Sequence, residues 1–241
     1  MKVTQKLESK YKTSIKMNTN VSEQEIRRFR KDKDKYGVIY NNDNKRLLKC
    51  ENSNLTKYII KAGTKVICDK ALWCRDLQSI SIPSSVTAIG DEAFYGCTAL
   101  QSVSIPSSVT HIGDLAFYEC TALQSISIPA SVTTIGEAAF CGCTALQSIS
   151  ISSSIKAIRQ NTFYICKVLQ SISIPSSVTT IGRNAFYGCK ALQSISITSS
   201  VTKIDDRAFN GCTALQSISI PSSITNIVKD AFPLTCFVTR F

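Results

Sequence analysis

Residues 77–99 read LQSISIPSSVTAIGDEAFYGCTA, and close copies of this phrase recur at a fixed interval down the chain. Leu77, Leu100, Leu123, Leu146, Leu169, Leu192 and Leu215 each open it, 23 residues apart. Phe94, Phe117, Phe140, Phe163, Phe186, Phe209 and Phe232 keep the same register. An earlier, degenerate copy runs from Leu55 through Tyr58, Ile60, Ile67 and Leu72 to Cys74 and is one residue short. That makes eight coils, the last cut by Pro233. A constant period of this length means one coil per repeat, with like residues stacked on like.

Within a coil, Leu77-Gln78-Ser79-Ile80-Ser81-Ile82 alternates apolar and polar with period two, as a half-buried strand does. Pro83 ends that strand, having no N–H to give to a neighbour. Val86 and Ile89, three apart, predict a second short extended segment or a turn. Ala93, Phe94 and Cys97 have helix-like spacing, which predicts a short helical turn, and Gly90 reads as a turn glycine. No single coil can bury its apolar face alone, so stacking supplies the core.

The phrase LQSISIPSSVTxIGxxAFYGCTA resembles the repeat of the BspA-like leucine-rich-repeat proteins, over roughly residues 55 to 232. The resemblance implies an α/β right-handed leucine-rich-repeat solenoid, mostly short parallel strands with short helical turns. Tyr36-Gly37-Val38-Ile39-Tyr40, then Asn41 to Asn44 and Lys45 to Lys49, is similar to the hairpin that precedes such arrays. Two apolar runs around an Asn/Asp turn give the same hairpin from the residues alone. The expected organisation is a flexible basic segment over 1–21, a capping helix and hairpin over 22–54, and the solenoid over 55–241. Adhesion and protein binding at the cell surface are what the resemblance implies, with no catalytic residues to carry over.

The chain has 241 residues, 44% of them apolar, which excludes wholesale disorder. Of its eleven cysteines, Cys74, Cys97, Cys120, Cys143, Cys166, Cys189 and Cys212 share one repeat position. They predict a buried column of small apolar groups, not a zinc site, because the paired spacing that zinc requires is absent from that column. An odd total also excludes a fully paired disulfide framework within one chain. His111 is the only histidine. It occupies a slot filled elsewhere by Ala88, Thr134, Ala157, Thr180, Lys203 and Asn226, so an exposed position is expected. With no second histidine and no phosphate loop, the expectation is no enzyme, no cofactor, no metal and no small-molecule substrate.

Net charge is +11, of which +7 belongs to residues 1–54. The densest run is Arg27, Arg28, Arg30, Lys31, Lys33 and Lys35, behind the capping-box pattern Ser22-Glu23-Gln24-Glu25. It reads as a solvated helix with Ile26 and Phe29 inward. Nucleic-acid contact there is disfavoured, because Asp32 and Asp34 interrupt the run and no aromatic platform accompanies it. Residues 1–17 contain no apolar run of about 7–15 residues, which favours a cytoplasmic location, whereas the family resemblance implies display or secretion. The apolar end, 232–241, is too short to span a membrane.

The remaining candidate is the repeat surface itself. Gln78, Ser79 and Ser81 recur almost unchanged and offer few of the anchors that dominate protein interfaces. Variation lies instead around the aromatic: Asp91, Asp114, Arg183 and Asp205, with Tyr95, Tyr118, Tyr164 and Tyr187 on the same side. That face is the expected contact with a protein partner, made by a monomer or weak oligomer.

Overall fold

The structure is a computed structural model that describes residues 18–225, 227–228 and 230–241. Each coil contributes a first strand from its Ser-Ile-Ser, beginning at Lys57–Ile59 and Ser79–Ser81 and ending at Ser217–Ile220. The central apolar residue of each is buried and its flanks are exposed, as the alternation predicts. A second strand of two residues follows, from Val66–Ile67 and Ala88–Ile89 to Lys203–Ile204. Both strands pair in parallel with their equivalents in most adjoining coils, Ser102 with Ser125 and Ile89 with Ile112 among them. The result is a solenoid of eight coils with a parallel ladder on two sides.

The corner after the second strand is not helical, contrary to the spacing of Ala93, Phe94 and Cys97. The N–H groups there alternate in direction. Tyr95 and Cys97 donate within the coil, to Glu92 and Phe94, while Glu92, Phe94 and Gly96 donate to Asp114, Ala116 and Tyr118 of the next. A helix would direct every N–H along its own chain. Glu92 and Gly96 also lie in the left-handed region, at φ 55° and 67°, which interrupts any helix. The corner is thus a third ladder built from turns. Gly90 is no left-handed turn either: a Cβ there would collide with the backbone of Cys68 in the preceding coil, so glycine permits a close approach.

The core runs along the axis. Phe94, Phe117, Phe140, Phe163, Phe186 and Phe209 are fully buried and stack with ring centroids 5.0–5.7 Å apart. That step is close to the ~4.8 Å between paired strands, so backbone ladders and ring stack share one repeat. Leu77 and its equivalents fill the opposite side.

At the start, helix α1 (Glu23–Phe29) buries Ile26 and Phe29, and the Ser22 side chain accepts from the Glu25 N–H at 3.1 Å. Strands β1 (Val38–Tyr40) and β2 (Arg46–Cys50) form the hairpin, and β2 pairs in parallel with Val66–Ile67. The open edge of the first coil is thereby covered. Glu25 on α1 pairs with Arg46 on β2 at 2.5 Å, and Tyr58 donates to Asp34 at 2.6 Å, tying the cap to the first coil. Thr19 O accepts from Asp69 N–H, so residues beside α1 are also anchored; 1–17 lie outside the described residues. The far end closes with a strand at Phe237–Arg240 paired in parallel with Ser217–Ile220.

Candidate interaction face

The corner ladder carries two columns of side chains outward. The first holds Trp73, Tyr95, Tyr118, Cys141, Tyr164, Tyr187 and Asn210. Tyr95 and Tyr118 stack 4.8 Å apart at 8°, and Tyr164 and Tyr187 stack 5.1 Å apart at 10°. All four are half-buried. Cys141 separates the two pairs, so the sequence-derived row is in fact two short stacks. Burial first, then the nearby Cys141 and Glu119, pushes the Tyr118 phenol up to about 12, so at neutral pH it is a hydrogen-bonding hydroxyl. Trp73 heads the column, 5.4 Å from Tyr95, and sequence reasoning missed it. Placing the one-residue gap of the first coil after Trp73 aligns it with Tyr95, and that was the available clue.

The second column holds Asp69, Asp91, Asp114, Glu137, Gln160, Arg183 and Asp206. Asp69, Asp91 and Asp114 face forward along the axis. Asp69 Oδ1 accepts from Asp91 N–H at 2.9 Å, Asp91 from Asp114 at 2.8 Å, and Asp114 from Glu137 at 2.7 Å. Each aspartate thus fastens one coil to the next. Loss of water at the packed corner, then repulsion from Asp114, Asp69 and Glu92, lifts the Asp91 carboxyl to about 6 against the lowering hydrogen bond from Asp114 N–H. Arg183 pairs with Asp206 at 3.4 Å, and Asp205, in the slot of Gly90, pairs with Lys203 at 2.8 Å.

Other repeated polar residues have the same fastening role. Ser108, Ser131 and Ser177 donate to the carbonyls of Val86, Val109 and Ile155 in the preceding coil. Thr110 and Thr133 do so one residue further on. His111 is half-buried, not fully exposed, and burial lowers its pKa; its neighbour Ala88 is entirely buried. In the basic run, Arg30 and Lys33 both pair with Glu51, at 2.8 and 3.4 Å. Among the described residues no group of three or more His, Cys, Asp or Glu is placed to hold a metal ion. Nor is any helix there long and apolar enough to cross a membrane.

The family model for the BspA type leucine rich repeat region matches six times, within residues 48–124, 65–190 and 110–238. The chain belongs to this family. Three solved leucine-rich repeat structures are similar to the chain. A leucine rich cell surface protein from Faecalibacterium prausnitzii is 31% identical at TM-score 0.51, covering 69% of this chain and 60% of its own. A leucine-rich repeat protein from Eubacterium ventriosum is 28% identical at TM-score 0.64, covering 85% and 49%. The leucine rich repeat protein of T. pallidum is 26% identical at TM-score 0.64, covering 75% and 87%. The chain thus spans about half to three fifths of the length of the first two. Among curated proteins, none matches.

Proposed function

We propose that the chain is a non-enzymatic scaffold that binds a protein partner through its corner face. Tyr95, Tyr118, Tyr164 and Tyr187 are the anchors, with Asp91, Asp114, Arg183 and Asp205 along the same side. One observation carries this reading: the two stacked tyrosine pairs stand on a corner whose backbone is hydrogen-bonded from coil to coil, which holds them in place before any partner arrives. Preorganised aromatic side chains lose little entropy on binding. The strand face supplies none from Gln78 to Ser219, where Gln78, Ser79, Ser81 and their repeats fill the outward positions. The test is affinity capture from the native source with the immobilised chain and with a variant in which all four tyrosines are Ala. A defined protein retained by the first and lost by the second, with equal circular dichroism, supports the reading; retention by both refutes the choice of face.

A second reading, adhesion from the cell surface, is favoured by the F. prausnitzii relative, described as a cell surface protein. Protease treatment of intact cells tests it. Loss of the chain supports display, and full protection in the cytosolic fraction contradicts it.

A further inference from the structure

Three irregularities of the chain coincide at one place. The coil from Leu55 to Leu77 is the one that is a residue short, because Trp73 is followed directly by Cys74, with no counterpart of the left-handed Gly96. Trp73 is the sole tryptophan and, at 46% relative exposure, the most exposed member of its column. Beside it opens a groove of about 320 Å³ lined by Trp73, Arg75, Tyr95, Gly96, Thr98 and Glu119.

The groove is built, not merely open. The Trp73 indole Nε1 donates to Glu92 O at 2.8 Å, which fixes the ring. The indole is tilted 40° to Tyr95, whereas Tyr95 and Tyr118 are almost parallel, so a wedge of aromatic surface stays uncovered. Lys70 is held by Glu92 at 3.6 Å, but neither Arg75 nor Glu119 makes an ion pair among the described residues. A cation and an anion without ion-pair partners therefore line the groove beside the wedge.

We propose that this groove seats an extended, proline-rich segment of the partner, with a carboxylate side chain against Arg75. The inference rests on the corner face being the interaction face and names the chemistry accepted at its head. Strand addition beside the groove does not fit, because the second strands that lead into this corner, Val66–Ile67 and Ala88–Ile89, are each paired on both sides. An amphipathic helix needs a continuous apolar trough, and here Trp73 and Tyr95 are the only large apolar groups. A polyproline segment needs aromatic surface for its rings and donors for its unpaired carbonyls. Trp73 and Tyr95 offer the first, and the Tyr95 hydroxyl and the Arg75 guanidinium the second. The guanidinium also receives a carboxylate in bidentate fashion, and Glu119 sets the direction of the peptide by repelling that charge.

Trp73 emission reports the groove without a label. The full chain is titrated with a short synthetic peptide carrying proline at every third position and one glutamate, with its glutamate-to-lysine counterpart, and with a soluble linear oligosaccharide. The expected result is a saturable emission change with the acidic peptide, weakened about tenfold or more by the lysine exchange and by Arg75→Ala. Arg159→Ala, on the same array but away from the groove, leaves it intact. A change with the oligosaccharide alone assigns the aromatic surface to glycans and overturns the peptide seat. No change with any probe also overturns it. If the captured partner survives Arg75→Ala but not Tyr164→Ala with Tyr187→Ala, this seat fails while the interaction face stands; loss of neither refutes both.

Discussion

The thiol of Cys120 donates to the carbonyl oxygen of Phe94, one coil back, at 3.2 Å. The same bond joins Cys143 to Phe117, Cys166 to Phe140, Cys189 to Phe163 and Cys212 to Phe186. Each of those carbonyls already accepts a backbone N–H inside its own coil, so the thiol engages its second lone pair. The cysteine column is therefore a packing element with a weak donor, and burial pushes the thiols of Cys120, Cys143 and Cys166 upward, away from reactive thiolate.

Truncating one of them loses the bond and leaves a small void. Cys143→Ala is expected to cost about 1–2 kcal/mol, measured by urea unfolding, and Cys236→Ala, half-buried at the chain end, close to nothing. In the folded chain a thiol reagent should titrate Cys236 rapidly and the ten buried thiols only on unfolding.

Asp91 predicts a pH dependence. Its folded pKa of about 6 lies above the unfolded value of about 3.9, so the folded state holds the proton more tightly. Its contribution favours folding below about pH 4 and is lost as pH rises through 6. Asp91→Asn keeps an oxygen for the Asp114 N–H and removes the charge. Because Asp91 is packed on one side and still meets solvent on the other, screening reduces the gain: a Tm rise of about 1–3 °C at pH 7, shrinking toward pH 4, is expected by calorimetry. A lower Tm at pH 7 would show that the charge itself is needed.

The coil from Leu146 to Val168 is where both strand ladders break. The first-strand ladder is interrupted between Ser148–Ser150 and Ser171–Ser173, and the second between Thr134–Ile135 and Ala157–Ile158. This coil has buried Ser152 where others have Pro83, Arg159 in the slot of Gly90, and Ile165 in the left-handed slot of Gly96, at φ 58°. A β-branched residue there is strained. Ile165→Gly is expected to stabilise by about 1 kcal/mol, a rise of roughly 2–4 °C in Tm. Unchanged or reduced stability would mean that the Ile165 side chain, packed near Gly188, outweighs the strain.

The architecture was legible because period and alternation are set by burial: the same residues that spell the repeat, Leu77, Ile80 and Phe94, are the ones in the core. The corner was misread as helix because the spacing of Ala93, Phe94 and Cys97 records which side chains point inward and says nothing of where each N–H goes. Asp91 and Asp114 looked like free variation because their bonds join residues 23 apart. Trp73 was passed over because a one-residue deletion moves it out of register with Tyr95.

The most direct test of the corner face is site-specific photocross-linking to the captured partner. A photoreactive residue is placed in turn at Tyr118 and Tyr164 on the corner, and at Ser104 and Ser173 on the strand face. The account predicts a cross-linked product from the two corner positions and none from the two serines. Products from Ser104 and Ser173 alone would place the partner on the strand face and contradict it.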